Sequence, residues 1–163
     1  MHTALRISIP TLLVFFLAVF ACSAQLADKK AMTLEVAKQM AAAAEKEAAN
    51  NKWTMAVAIV DDGGNLILLH RIDETQIGSI EVAIQKARSA LLFKRPTKVF
   101  EDGVAGGRHG LLALAGAVPI EGGLPITVDG KVIGAIGASG GTSAQDGVAA
   151  KAGLDALPKI LGK

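Results

Sequence analysis

Cysteine is nearly absent from this chain of 163 residues: there is one, Cys22. Tyrosine is missing altogether, tryptophan occurs once and phenylalanine five times. Charge of either sign is not in excess, with 17 Lys and Arg against 15 Asp and Glu. Each shortage excludes something. Cys22 falls in a segment expected to be removed, so a thiol nucleophile, a CxxC redox pair and a cysteine zinc site are excluded from the remaining domain. Trp53, Phe93 and Phe100 are the only aromatics after residue 24, too few for stacking single-stranded bases. Near-neutrality argues against nucleic acid as a partner. The lysine and hydroxyl pair of a P-loop is also missing from the glycine-rich stretch VIGAIGASGGTSAQD at 132–146, which excludes triphosphate binding there.

The N-terminus carries Arg6, an apolar run from Ile9 to Ala21 and the small residues Cys22, Ser23 and Ala24. This is the layout of a secretory signal peptide, and the run is short for a membrane span. Residues 1–24 are therefore expected to be removed, which makes the protein periplasmic or secreted, with no membrane span after processing. An uncleaved anchor and lipidation at Cys22 stay open as alternatives; Phe20 fits a lipoprotein site poorly. Residues 25–31 read as a leader and residues 32–163 as one domain.

Thr33 predicts a helix cap over Leu34 to Asn50, with Ala37, Met40, Ala41, Ala44 and Ala48 on one apolar stripe. The runs Trp53 to Val60 and Leu66 to Arg71, split by DDGGN, predict a β-hairpin. In the second strand Leu66, Leu68 and His70 are expected on one face, and Ile67, Leu69 and Arg71 on the other. Ser79 is expected to cap a helix carrying Ile80, Ala83, Ile84, Ala87 and Leu91 and stopped by Pro96. A short helix follows over Lys98 to Val104. Leu111 to Ile120 reads as a strand, then Pro125 to Val128 and Lys131 to Ser139 as a hairpin about Asp129-Gly130. Ser143 to Asp146 resembles a capping box for a last helix reaching about Leu157, with Val148, Ala149, Ala152 and Ala156 as its stripe. The order α–β–β–α–α–β–β–β–α predicts an α+β domain: an antiparallel five-stranded sheet with flanking helices, of profilin- or PAS-like sandwich form.

Few residues carry obvious chemistry. The N–H groups of a helix start can hold an anion, so Gly140, Gly141 and Ser143 form either an anion-binding loop or a plain strand-to-helix turn. His109 sits beside Arg108 in AGGRHGLL, neither on a core face nor on a charged helix. It is the first candidate for a metal or anion ligand. His70, Arg71 and Asp73 end a strand and are secondary candidates. Arg71 and Asp73 point the same way and are expected to form a structural ion pair, with each other or with Lys86 and Arg88. No carboxylate pair shows acid–base spacing, and Ser139 lacks a nucleophile elbow.

Four collinear stretches resemble the GlcG/HbpS family of haem-binding proteins, which includes the C-terminal domain of the PduO proteins. They are VDDGGNLILLHRID at 60–73, QKARSA at 85–90, AVPIEGGLPI at 117–126 and GKVIGAIGASGGTSAQD at 130–146. The resemblance implies a five-stranded sheet, a homo-oligomer, and haem or a related tetrapyrrole as the small-molecule ligand. It departs at Glu74-Thr75, where members commonly carry Gly-Ala, and at His109, where they carry a small or hydroxyl residue. Imidazole is a better iron ligand than a hydroxyl. His109 would then be the donor to haem iron, with Arg108 near a propionate and Gly140, Gly141 and Ser143 holding an anionic group. The role would be sensing, storage or scavenging without turnover. Two other readings remain: an enzyme for a small carboxylate or diol-derived metabolite (or for haem degradation), and a module serving only assembly.

Overall fold

The computed structural model describes Leu26 and residues 28–163. The expected signal sequence and Cys22 lie outside the described residues. Helix α1 (Leu34–Asn50) starts where Thr33 predicts, the threonine hydroxyl accepting the Val36 N–H at 3.3 Å. All five residues of its predicted stripe are buried. Strands β1 (Ala56–Asp61) and β2 (Leu66–Arg71) form the first hairpin. Its turn is built on the Asp61 carboxylate, which accepts the N–H groups of Gly63 at 2.9 Å and Asn65 at 2.8 Å.

A bulge alters the faces of β2. Leu68 pairs with Ile59 and His70 with Val57, but Leu66 pairs with Val60. Val57 and Ile59 pack toward α1, whereas Val60 packs on the opposite face. Leu66 therefore leaves the face it was expected to share with Leu68 and His70.

Helix α2 (Gly78–Phe93) carries its apolar stripe as expected, but Ser79 does not cap it. Ser79 is buried inside the first turn, where it accepts from Gln76 and meets the Ser139 hydroxyl. Lys94 ends the helix in the left-handed conformation, two residues before Pro96. Helix α3 (Lys98–Ala105) leads into a 3-10 helix (His109–Ala113). Strands β3 (Gly123–Val128) and β4 (Lys131–Ser139) form the second hairpin, with Asp129 and Gly130 both at positive φ, as a type I′ turn requires. Helices α4 (Ser143–Asp155) and α5 (Leu157–Ile160) follow.

Among the described residues the sheet has four strands, in the order β2-β1-β4-β3, all antiparallel. The fifth strand expected over Leu111 to Ile120 does not form. Its backbone donors go elsewhere: Ala117 N–H bonds to Leu114 and Val118 N–H to the Ser89 hydroxyl. Gly116 takes φ of 80° and Pro119 has no N–H to give. Pro125 on the neighbouring β3 edge also removes a ladder donor.

Two helical layers cover the sheet. Helices α1 and α4 bury Met40, Ala44, Ala149 and Ala150 against Val57, Ile59 and Ile136 on one face. The stripe of α4 differs from that expected: Ala149, Ala150 and Gly153 are buried, while Val148 is exposed. On the other face α2 packs through Ala83, Ala87 and Ala90 against Ala56, Ala58 and Ala135. Residues this small let the helix backbone come very near the sheet. A Cβ at Gly137 would sit 2.1 Å from the Ala83 carbonyl oxygen, and one at Gly123 would sit 2.2 Å from that of Lys86. Gly137→Ala therefore forces α2 off the sheet and should cost about 1–3 kcal/mol. A lowered midpoint of denaturant unfolding at unchanged slope is the expected reading.

Candidate functional site

The close approach of α2 delivers Lys86 to the end of the sheet. Its side chain is 1% exposed and its ammonium donates to the Asp146 carboxylate at 2.6 Å and to the Ala138 carbonyl at 3.2 Å. Asp146 is on α4, so the ion pair ties the two helical layers together around the sheet end. Burial pushes the Asp146 carboxyl above the usual aspartate range, against the opposing pull of Lys86 and the Gly141 N–H. Gly122 leaves the needed space. It has φ of 127°, and a Cβ there would sit 2.8 Å from the Asp146 Cβ and 3.0 Å from Nζ of Lys86.

This arrangement corrects two expectations. The capping box of α4 is shifted by one residue: Thr142 is the cap and Gln145 its reciprocal partner, bonding at 3.4 Å and 2.8 Å. Asp146 is thereby released from capping. The ion pair expected for Arg71 and Asp73 does not use Lys86 or Arg88. Lys86 takes Asp146, and Arg88 donates from Nε to the Gly64 carbonyl.

The glycine corner holds an anion, and the anion is its own. Gly141 N–H donates to the second Asp146 oxygen at 3.0 Å. The Ser143 hydroxyl donates to Glu101 at 2.8 Å, and the same carboxylate accepts the Glu121 N–H at 2.6 Å. Gly140 serves the backbone path: at φ of 155°, its Cβ would meet the Thr54 carbonyl at 2.2 Å. Segment 117–123 is pinned beside it by Ser89, Glu101 and Thr97, the last accepting the Gly123 N–H at 2.9 Å.

The other singled-out residues form two further places. Arg71, Ala56 and Ser139 lie on one rung across three strands, so Arg71 shares an end of the sheet with the glycine corner. At a strand spacing of about 4.8 Å their outer backbones are about 10 Å apart. His70 lies on the α1 side, where its Nδ1 is 2.5 Å from a carboxylate oxygen of Glu45. Glu45, Leu69, His70, Arg71, Ile72 and Asp73 line a groove of about 480 Å³. Arg108 and His109 are exposed at the 3-10 helix, beside exposed Leu112 and Leu114. Among the described residues, no hydrogen bond or ion pair joins their side chains to the glycine corner. The site expected from sequence thus falls into an Arg108–His109 locus, a His70–Arg71 locus and a corner whose donors are engaged.

Sequence reasoning gave Lys86 and Asp146 other roles, missing their pairing, and missed Glu45 altogether. For Lys86 a signal existed: it lies three residues from Ala83 and four from Ala90, on the apolar stripe of a helix, where an ammonium needs a buried partner. Glu45 carried none, because its partner is 25 residues away across a layer.

The family model described as "Haem degrading protein HbpS-like" matches residues 32–155. Protein GlcG of Escherichia coli K12 is 39% identical over 111 residues, covering 68% of this chain and 83% of that protein. A double mutant of Streptomyces reticuli HbpS is similar in structure with a TM-score of 0.74 at 30% identity, over 85% of this chain and 95% of that one. A PduOC:Heme complex is similar with a TM-score of 0.70 at 29% identity, over 78% and 95%.

Removing either partner of the Lys86–Asp146 pair strands a buried charge. Lys86→Met and Asp146→Leu should each cost about 3–5 kcal/mol, and the double variant less than either. A double-mutant cycle on denaturant midpoints reads the coupling.

Proposed function

The chain belongs to the HbpS-like family, and on that premise we propose that it binds haem or a related tetrapyrrole as a sensor, store or scavenger. The single observation that carries this is the likeness to PduOC, whose structure is a haem complex, over 78% of the chain. The residues present fit such a ligand. Haem asks for an axial donor, a cation for its propionates and an apolar wall. His109 next to Arg108, with Leu112 and Leu114 exposed nearby, offers all three. His70 next to Arg71 offers a donor and a cation, but in an open groove that it shares with the carboxylates of Glu45 and Asp73.

Gly140, Gly141 and Ser143 would contribute by shaping the corner between β4 and α4, since the Gly141 N–H and the Ser143 hydroxyl already have partners. Export to the periplasm or the outside, expected of residues 1–24, belongs to the same proposal, as does assembly into a homo-oligomer. Bound haem would supply a redox-active iron; the chain's own part is to hold and shield it. The description of the family as haem degrading favours a second reading, in which the protein consumes the haem it binds.

Hemin titrated into the purified protein should give a saturable Soret shift at micromolar concentration. A Soret band stable to added reductant supports storage or sensing, and its decay supports degradation. No saturable change at all would remove haem as the ligand.

A further inference from the structure

We propose that the cavity between the two hairpin turns and the end of α2 binds a small organic anion, a carboxylate with an apolar tail. It lies at the opposite end of the sheet from the glycine corner, and the proposal does not depend on the haem reading. Three features of the structure carry it.

The first is room beside an apolar wall. The cavity has about 530 Å³, within the span of roughly 300–1,000 Å³ typical of small-ligand sites. Leu91, Leu92 and Val132 line it. Leu91 is buried against Val60 and Ala135, with Val132 packed on the same cluster, so two parts of the wall belong to the core. Leu92 remains 63% exposed and offers apolar surface to a ligand.

The second is charge. Lys29, Lys94 and Lys131 line the cavity against one carboxylate, that of Asp62. Asp62 is taken by Lys29. Asp129, in the turn before Lys131, is taken by Lys30 and Lys163. Lys131 donates to the Asp28 carbonyl, a neutral acceptor, which leaves its charge unbalanced. Lys94 has no ion pair and no side-chain hydrogen bond among the described residues. Two ammonium groups in one concave site, with no acid left to balance them, attract an anion. The leucine and valine wall rewards an anion with an apolar tail over a bare, fully hydrated one.

The third is placement. The two unbalanced lysines stand on different elements, and the backbone of each is fixed. Lys94 closes α2 in the left-handed conformation, its N–H bonded to the Leu91 carbonyl at 3.2 Å. Lys131 opens β4 and is paired with Val128 across the hairpin. Only side-chain freedom is lost when the two ammonium groups close on a carboxylate.

Octanoate titrated calorimetrically into the full chain tests this, with octanol as the tail without the charge and acetate as the charge without the tail. The variants are Lys94→Gln, Lys131→Gln and Lys52→Gln. Lys52 is also left-handed at a helix end, but it precedes β1 and so lies at the other end of the sheet. Melting curves without ligand check that each variant is folded. Octanoate should bind saturably at one site per chain, and octanol and acetate at least about tenfold more weakly. Lys94→Gln and Lys131→Gln should each weaken octanoate about tenfold, and added salt should weaken it further in the wild type. Lys52→Gln should match wild type. No saturable binding of octanoate overturns the proposal. So does octanoate binding that both Lys94→Gln and Lys131→Gln leave unchanged, or octanol binding as tightly as octanoate.

Discussion

The buried contact between Lys86 and Asp146 is the interaction around which the rest of the domain is arranged. An ammonium and a carboxylate out of water are tolerable only with close geometry and with their remaining capacity filled. Here Ala138 takes a second proton of the lysine and Gly141 donates to the second oxygen of the aspartate. Meeting these needs requires a glycine at 122, a strand end at 138–139 and a sharp corner at 140–141. Three sequence stretches that look unrelated in the chain, QKARSA, EGGLPI and ASGGTSAQD, are thus parts of one polar junction. The same junction joins α2 on one face of the sheet to α4 on the other, so the order of the layers depends on it.

That dependence explains which parts of the fold were legible in sequence. Helix α1 and both hairpins rest on local chemistry: a threonine cap, an Asp-Gly-Gly-Asn turn, and an Asp-Gly turn at positive φ. Each was readable because the residues that decide it are within a few positions of each other. The start of α4 was misread by one residue because Ser143 and Asp146 satisfy the same spacing as Thr142 and Gln145. Only the distant Lys86 separates the two registers, by requiring Asp146 inside. Ser79 was misread as a cap for a like reason, since its partner Ser139 is 60 positions away. The strand expected over Leu111 to Ile120 failed because apolar content alone does not make a ladder. Its donors bond locally and to Ser89, and the β3 edge it would join contains Pro125.

The candidate site was legible as residue types and not as places. Glycines, a helix start and a hydroxyl at 140–143 have the composition of an anion loop, and the physics behind that reading holds. The corner does gather N–H groups around a carboxylate. What the sequence could not reveal is that the carboxylate comes from α4 itself, six residues after Gly140. Once Asp146 fills that role, the donors there are no longer open to a ligand, and the chemistry left over is found at the margins. Each histidine of residues 25–163 stands beside an arginine, at the edge of a strand and on a turn.

The contrast between those two margins follows from how the core is built. Small residues let α2 settle closely on one face of the sheet, while Met40, Met55, Ile59 and Ile136 fill the space under α1 and α4 on the other. Both layers are thereby fixed relative to the strands. A side chain at the end of β2 inherits that rigidity, and a carboxylate on α1 reaches it without any loop having to order. The segment from Gly106 to Gly116 has no such support, with no buried side chain of its own. Holding an imidazole there for a ligand would cost the conformational freedom of a glycine-rich turn, of order 1–2 kcal/mol for each backbone residue fixed. The end of β2 is thus pre-ordered by the core, and the turn is not.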